Sequence, residues 1–562
     1  MWLSSLVTIG HPDIVVSLAL LGCVPVCFLM ARRVLGQLVE DQGIALLGGG
    51  LYALVPVVSG AVGSGQLGTV VWAMALPLVA HQLIRWWDEG DVSWQVVGLL
   101  ALSATVLTAV EPLTWLPVAL AVAALKFWAG GTWPRTIVAA FGPLLLLATP
   151  FTAELVRFPG RLLTGIDPVL APSGPPTILD LVLARPVAEA APLWVSAGLI
   201  GVLWVLALAG AAYRRTAVWG IVAALACAAV AVGLTRLVVE VPPTGMVARP
   251  QASVWLIGMV AGLIGAAAYG LEGVRAEIAH RGFGPRHVVV YAGAVLAAAT
   301  LLGGSAWWVM AGTGGLQRAG DTALPAFIRK DAERSASRIL ALDLAEGTGR
   351  WAVLSGDLTR LGDGERGLAE GGDPTVDELA ASVATRLGAG AEDERIVPDL
   401  QRLGVGYLWV TGAAPDQRAA ISNVPGLGVG SVDAQGANWV VPASGRLVLV
   451  TGTVPAKQDP AELIPAGAEG RVLLVAEPLT DPPIVTIGGV AAQRLPDVDG
   501  RLAFAVPGAG GALAVTSAVG PPWWAIVPAL ALLALIILAA PSSNAAEDAR
   551  ERAPRRADRK AS

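Results

Sequence analysis

Six carboxylates, Asp13, Glu111, Glu154, Asp167, Asp180 and Glu189, stand beside or between long apolar runs, and His11 accompanies Asp13. A carboxylate at a membrane boundary is a functional candidate, because a charge there is costly to keep. Within hydrogen-bond reach of a sugar hydroxyl it can act as general base. The plainer alternative is an interfacial charge that touches headgroups or water. Asp13, Glu111, Glu154 and Asp167 form the candidate catalytic set. The segment 155–190 is long, Pro-rich and half apolar. It reads as a lid over a groove, with Arg157 and Arg161 placed to pair with a lipid phosphate.

Other motifs carry less chemistry. Gly63-Ser64-Gly65-Gln66-Leu67-Gly68 matches G-x-G-x-x-G, but no strand precedes it, so a dinucleotide site is not expected. Gly63, Gly65 and Gly68 read first as a tight turn with close helix packing. Their alternative role is to offer amides to a lipid phosphate. Asp88-Glu89-Gly90-Asp91 could mimic metal-binding carboxylates, yet the loop is too short for the domain such a site needs. Cys23, Cys27 and Cys227 lie in apolar runs without ligand partners, so they read as buried hydrophobes and no metal site is expected. No nucleophile elbow, Walker motif or string of mid-span acids occurs. No cofactor is indicated.

These residues need elements to hold them, and the composition says which. Charged residues make up 14% of 562, against about 25% in a soluble domain, while AVILMFWYC reach 55%. Such a chain needs lipid as its solvent. Apolar runs predict spans near 14–31, 43–60, 67–84, 94–110, 112–128, 136–153, 191–213, 216–235, 252–271 and 287–311, with an eleventh at 523–540. The net charge of −5 offers nothing to attract nucleic acid.

Lys and Arg set the orientation. Arg32, Arg33, Arg85, Lys126, Arg135, Arg214, Arg215, Arg275, Arg281 and Arg286 fall on one side, as does the basic tail. That side is expected to face the cytoplasm. The carboxylate side is then external, as is the acidic section before the last span. Trp86-Trp87, Trp307-Trp308 and Trp523-Trp524 suit the interfaces. Eleven spans with a cytoplasmic C-terminus put the N-terminus outside, although residues 1–12 carry no basic leader. Either one span is miscounted or a segment precedes Met1.

The expected fold is a polytopic α-helical membrane protein of about 11 spans. An extracytoplasmic α/β plus β-sandwich region precedes the last span. The domains are 1–312 (polytopic), 313–444 (α/β), 445–522 (β-sandwich-like), 523–541 (C-terminal span) and 542–562 (cytoplasmic tail). Val376, Leu379, Val383 and Leu387 recur at helical spacing. Arg338–Leu342, Trp351–Leu354 and Val405–Val410 read as strands, with a helix at Val397–Leu403. Short β-rich runs at Arg446–Thr451, Arg471–Ala476, Ile484–Ile487, Leu502–Val506 and Ala512–Thr516 suggest the sandwich.

Gly63–Ala80, Ala323–Phe327 (ALPAF), Leu403–Val410 (LGVGYLWV) and Arg471–Val515 before Trp523-Trp524 carry a resemblance. The chain resembles the membrane part of actinobacterial family-2 glycosyltransferases, and LGVGYLWV is also similar to YfhO-type proteins of the GT-C class. The resemblance covers most of the chain through patterns rather than catalytic signatures. The family's cytoplasmic catalytic domain, with its Asp-x-Asp site, has no counterpart here. The resemblance implies a multi-pass plasma-membrane glycosyltransferase, or its membrane subunit, in cell-envelope glycan assembly. Its partners would be the bilayer, a polyprenyl-linked glycan and a separately encoded glycosyltransferase domain. Two rivals stay open: a non-enzymatic envelope protein whose external domain binds glycan or a partner, and a lipid-linked glycan transporter.

Overall fold

The computed structural model describes residues 12–90, 92–148, 159–165, 169–170, 174–187, 190–241, 246–279, 285–312, 324–335, 337–344, 350–355, 374–390, 392–432, 436–476, 483–516 and 526–540. The chain is mostly helical, at 60%. It divides into two compact units, one of Met1–Glu240, Val247–Gln317 and Trp524–Ser562, the other of Val241–Met246 and Arg318–Trp523.

The first unit is a helical bundle. Its helices are α1 (Pro12–Leu38), α2 (Gln42–Val58), α3 (Leu67–Glu89), α4 (Trp94–Val110), α5 (Trp115–Trp128), α6 (Trp133–Leu146), α7 (Leu193–Tyr213), α8 (Ala217–Arg236), α9 (Ser253–Ala279) and α10 (Pro285–Trp307), with a C-terminal helix at Ile526–Ala539. Among the described residues six helices, α1, α3, α7, α8, α9 and α10, are long and apolar enough to cross a membrane. They mark a membrane protein. The other five are apolar but no longer than 17 residues, short of the roughly 20 a straight span needs.

Apolar faces cannot drive helices together in lipid, so close approach does. At Gly270 of α9 a Cβ would run into the Gly210 backbone of α7, and Gly220 of α8 faces Gly262 of α9 in the same way. The centre of α9 is accordingly the most enclosed of the six, with 67% of its apolar window buried. Gly98 of α4 receives the C-terminal helix: a Cβ there would stand 2.7 Å from the Ala539 N and 3.0 Å from the Leu535 O.

Polar contacts gather at the two ends of this bundle. At one end Glu272 accepts from Arg214 (3.0 Å) and from the Glu40 N–H. Here too Arg85 pairs with Glu89 at 2.9 Å, Lys126 sits over Trp133 and Arg135 sits over Trp94. Among the described residues, this is the end that carries Arg85, Lys126, Arg135 and Arg214 of the basic loops. Glu111 belongs to the opposite end.

The second unit holds two modules. The first has strands β1 (Arg338–Asp343), β2 (Arg350–Ser355), β3 (Val405–Thr411), β4 (Gly428–Val432) and β5 (Ala437–Val440), in the order β2-β1-β3-β5-β4. Only β1 and β3 pair in parallel. Alternation along β1 sends Leu340 and Leu342 towards α12 (Pro374–Gly388) and α13 (Ile396–Arg402). Ile339 turns instead to α11 (Ala326–Ser335).

The second module follows with β6 (Leu447–Thr451), β7 (Val454–Lys457), β8 (Arg471–Val475), β9 (Ile484–Ile487), β10 (Val490–Ala491), β11 (Arg494–Val498), β12 (Arg501–Val506) and β13 (Leu513–Thr516). They form two antiparallel sheets, β7-β6-β8-β12-β11 and β10-β9-β13. Leu447, Leu473, Leu502 and Phe504 of one sheet meet Val485 and Ile487 of the other in a single core.

Named contacts tie the modules together. Arg338 Nη1 donates to the Leu403 O (2.9 Å) and the Ala476 O (3.0 Å). Asp331 Oδ2 accepts from the Tyr407 hydroxyl (2.8 Å) and from Lys457 Nζ (3.2 Å), and Lys457 lies over the Tyr407 ring. Burial pushes the Asp331 carboxyl up, but the Tyr407 hydroxyl and the Lys457 ammonium outweigh it and hold it below the ordinary value. Burial, helped by Asp331, pushes the Tyr407 hydroxyl well up.

Candidate functional site

Glu111 closes α4. It adopts an extended conformation (φ −135°, ψ 98°), and Pro112 then starts the short 3₁₀ turn Pro112–Thr114 that leads into α5. The sequence Glu-Pro makes this break: proline disfavours the helical conformation in the residue before it. The Thr114 hydroxyl donates to the Glu111 O at 2.7 Å and fixes the turn.

The side chain is fully enclosed, at 0% exposure; the Leu113 backbone N–H approaches the carboxyl, but among the described residues neither oxygen has a partner at full hydrogen-bond geometry. Gly165, which follows the one-turn helix Arg161–Thr164, covers it. Gly165 has φ 60° and ψ −158°, a conformation essentially reserved for glycine. A buried carboxyl with so little donation is a poor structural choice, since it loses water and gains little in return.

Asp180 shows the contrast. It caps the short helix Ile178–Val182 through a capping box with Thr177. Its Oδ2 accepts from the Thr177 hydroxyl (2.6 Å) and its Oδ1 from Arg185 Nη1 (2.8 Å). Its oxygens are engaged in holding the loop.

The Gly63–Gly68 segment is a chain of turns that ends in α3. Gly65 N–H donates to the Val62 O (3.1 Å), Gln66 N–H donates to the Ala61 O (2.9 Å), and Gly65 has φ 69°. Gly68 is buried in the first turn of α3. Asp13 lies in the first turn of α1, but its side chain is outside the described residues. So are the Arg161 side chain and all of His11, Glu154, Arg157, Asp167 and Glu189. Among the described residues the structure therefore brings Gly165, Val110 and Thr114 to Glu111.

The same end holds a buried polar network that sequence reasoning missed. Gln251 Nε2 donates to Gln66 Oε1 (2.8 Å) and to Thr69 Oγ1 (2.5 Å), and Ser253 Oγ donates to Gln66 Oε1 (3.1 Å). It binds the start of α3 to the start of α9. The only signal was one glutamine before each apolar run. At the opposite end Glu89 of the acid cluster is taken by Arg85. Cys23 and Cys27 are buried with their sulfurs 3.9 Å apart. Among the described residues no group of three His, Cys, Asp or Glu gathers as a metal site.

The chain matches no protein-family model, no curated protein and no solved structure.

Proposed function

We propose that this protein is a membrane glycosyltransferase, or the membrane subunit of one, in cell-envelope glycan assembly. It acts on a polyprenyl-linked sugar or acceptor at the outer face of the plasma membrane. One observation carries the reading: Glu111, a wholly enclosed carboxyl that only the Leu113 backbone N–H approaches among the described residues, at the end of an apolar helix. Structural stability does not explain such a group, whereas a general base does. With Arg161–Gly165 withdrawn, Glu111 takes the proton of an acceptor hydroxyl. The hydroxyl oxygen bonds the anomeric carbon, and the polyprenyl phosphate departs with the bonding pair. The eleven apolar helices would all cross or enter the bilayer, with the Arg214 end cytoplasmic and the Glu111 end outside.

The test is the host's polyprenyl-linked glycan profile, read by mass spectrometry, in a deletion strain and a Glu111→Gln strain. The lipid-linked donor should accumulate in both, with Glu111→Gln expressed at the normal level. An unchanged profile in the deletion strain overturns the enzyme. A changed profile on deletion but full function in Glu111→Gln removes Glu111 from the mechanism and favours a non-enzymatic external domain or a transporter.

A further inference from the structure

Three short helices of the bundle meet side by side. α4 has 17 residues, α5 has 14 behind its 3-residue 3₁₀ turn, and α6 has 14. A Cβ at Gly142 of α6 would stand 3.3 Å from the Ala101 Cβ of α4. Trp115 Nε1 of α5 donates to the Ala140 O of α6 at 2.8 Å, and its ring lies 5.9 Å from that of Phe141.

The inner ends of these helices are level. Arg135 of α6 sits over Trp94 of α4, and Lys126 of α5 over Trp133 of α6. Trp86 Nε1 of α3 donates to the Gly130 O between α5 and α6, at 3.3 Å. Cations and indoles gathered in this way suit a headgroup layer.

From that level the helices climb to unequal heights. At about 1.5 Å per residue, α6 rises about 20 Å, and α4 and α5 about 24 Å. α3, counted from Trp86 to Leu67, rises about 29 Å. The hydrocarbon core of a bilayer is about 30 Å thick, and tilt only lowers the reach of a helix.

The shortfall meets lipid, because Leu116, Leu120, Phe127, Ile137 and Leu145 are each half exposed or more. A short span is met by a thinner bilayer, by snorkelling side chains or by oligomerisation. The cations able to snorkel, Lys126 and Arg135, lie at the inner end. The outer ends, 113–116 and 144–148, contain no charged residue.

We infer that α5 and α6 form a thin sector of the membrane unit, a surface fitted to a bilayer whose hydrocarbon core narrows to about 20–25 Å beside it. The outer headgroups then dip to the end of α4, where Glu111 stands. The inference rests on the reading that these helices cross the membrane, and not on the role given to Glu111.

Two residues of α5 distinguish a thin core from an ordinary one. Leu116 stands about 18 Å above Trp128, and Leu120 about 12 Å. In an ordinary core both lie about 12 Å from the nearer surface, so an arginine is equally costly at each. In the thin sector Leu116 lies beside the outer headgroups and only Leu120 is deep.

The full chain is reconstituted in dioleoyl phosphatidylcholine vesicles. Leu116→Arg should keep its Tm within about 2 °C of the native protein, while Leu120→Arg loses about 3 °C or more or fails to fold. An impermeant maleimide added outside intact cells should also label Ala148→Cys, just beyond α6. Equal damage from the two arginines overturns the thin sector, as does Ala148→Cys left unlabelled from both sides, which ends α6 inside the bilayer. Labelling of Ala148→Cys from the cytoplasmic side alone overturns the crossing itself, and the thin sector with it.

Discussion

Gly165 lies directly over Glu111: a Cβ at that position would stand 2.8 Å from Oε2 and 2.9 Å from the Val110 O. The contact is made possible by a residue without a side chain, in a conformation that other residues rarely adopt. It shuts the carboxyl from water while giving it no donor. The cover and the carboxyl therefore have to be considered together.

Glu111→Leu should stabilise the folded protein and abolish its function. An unpartnered buried polar group costs roughly 1–3 kcal/mol, and leucine removes that cost at similar volume. Thermal unfolding in detergent and complementation of a deletion strain measure the two effects. A lower Tm in Glu111→Leu would mean that the carboxyl has a structural partner after all.

Gly270→Ala should destabilise the bundle by about 1–3 kcal/mol, since the new methyl meets the Gly210 backbone, which cannot turn aside. Gly265→Ala on the same helix is the control. Nothing lies within 4 Å of its added Cβ, so helix propensity should make it neutral or stabilising by up to about 1 kcal/mol. Equal effects at the two glycines would sink the packing account of α7 against α9.

The Asp331 cluster should make stability fall at both extremes of pH. The Asp331 carboxyl is held low, so its contribution is present above the unfolded pKa of about 3.9 and is lost as pH drops below that. The Tyr407 hydroxyl is held high, so its contribution is present below about pH 10 and fades as pH climbs further. Asp331→Asn should flatten the acid limb and weaken the alkaline one. Unfolding curves across pH for the two proteins provide the comparison; superimposable profiles would contradict it.

The two ends of the bundle should react with an impermeant maleimide from opposite sides of the membrane. Ser64→Cys is exposed at the Glu111 end and Arg215→Cys at the Arg214 end. Intact cells should label Ser64→Cys, and only inverted vesicles should label Arg215→Cys. Native Cys23 and Cys27 are buried and add little background. The reverse pattern would turn the molecule over and move Glu111 to the cytoplasmic face.

The helices of the bundle were legible because a long apolar run leaves the backbone few alternatives in lipid. Helix ends were less so. α3 continues to Glu89, past the expected end at 84, because Arg85 and Glu89 pair one turn apart. In the second unit, β1, β3 and α12 announced themselves by period. β4 did not: Gly428-Val429-Gly430-Ser431-Val432 is an exposed edge strand with no face to bury. Glu111 was legible as a lone carboxylate between two apolar runs. Its cover was not, because the contact joins residues far apart in the chain and no local rule places Gly165 there.

The seat of the helix Ile526–Ala539 against Gly98 has a consequence for biogenesis. α4 is made early in synthesis, but the surface around Gly98 stays uncovered until the whole second unit has left the ribosome. Closing the bundle is thus a late, long-range event that reports completion of everything between. A stalled or cleaved chain would leave that groove open to lipid, a durable mark by which quality control could tell a finished molecule from a partial one.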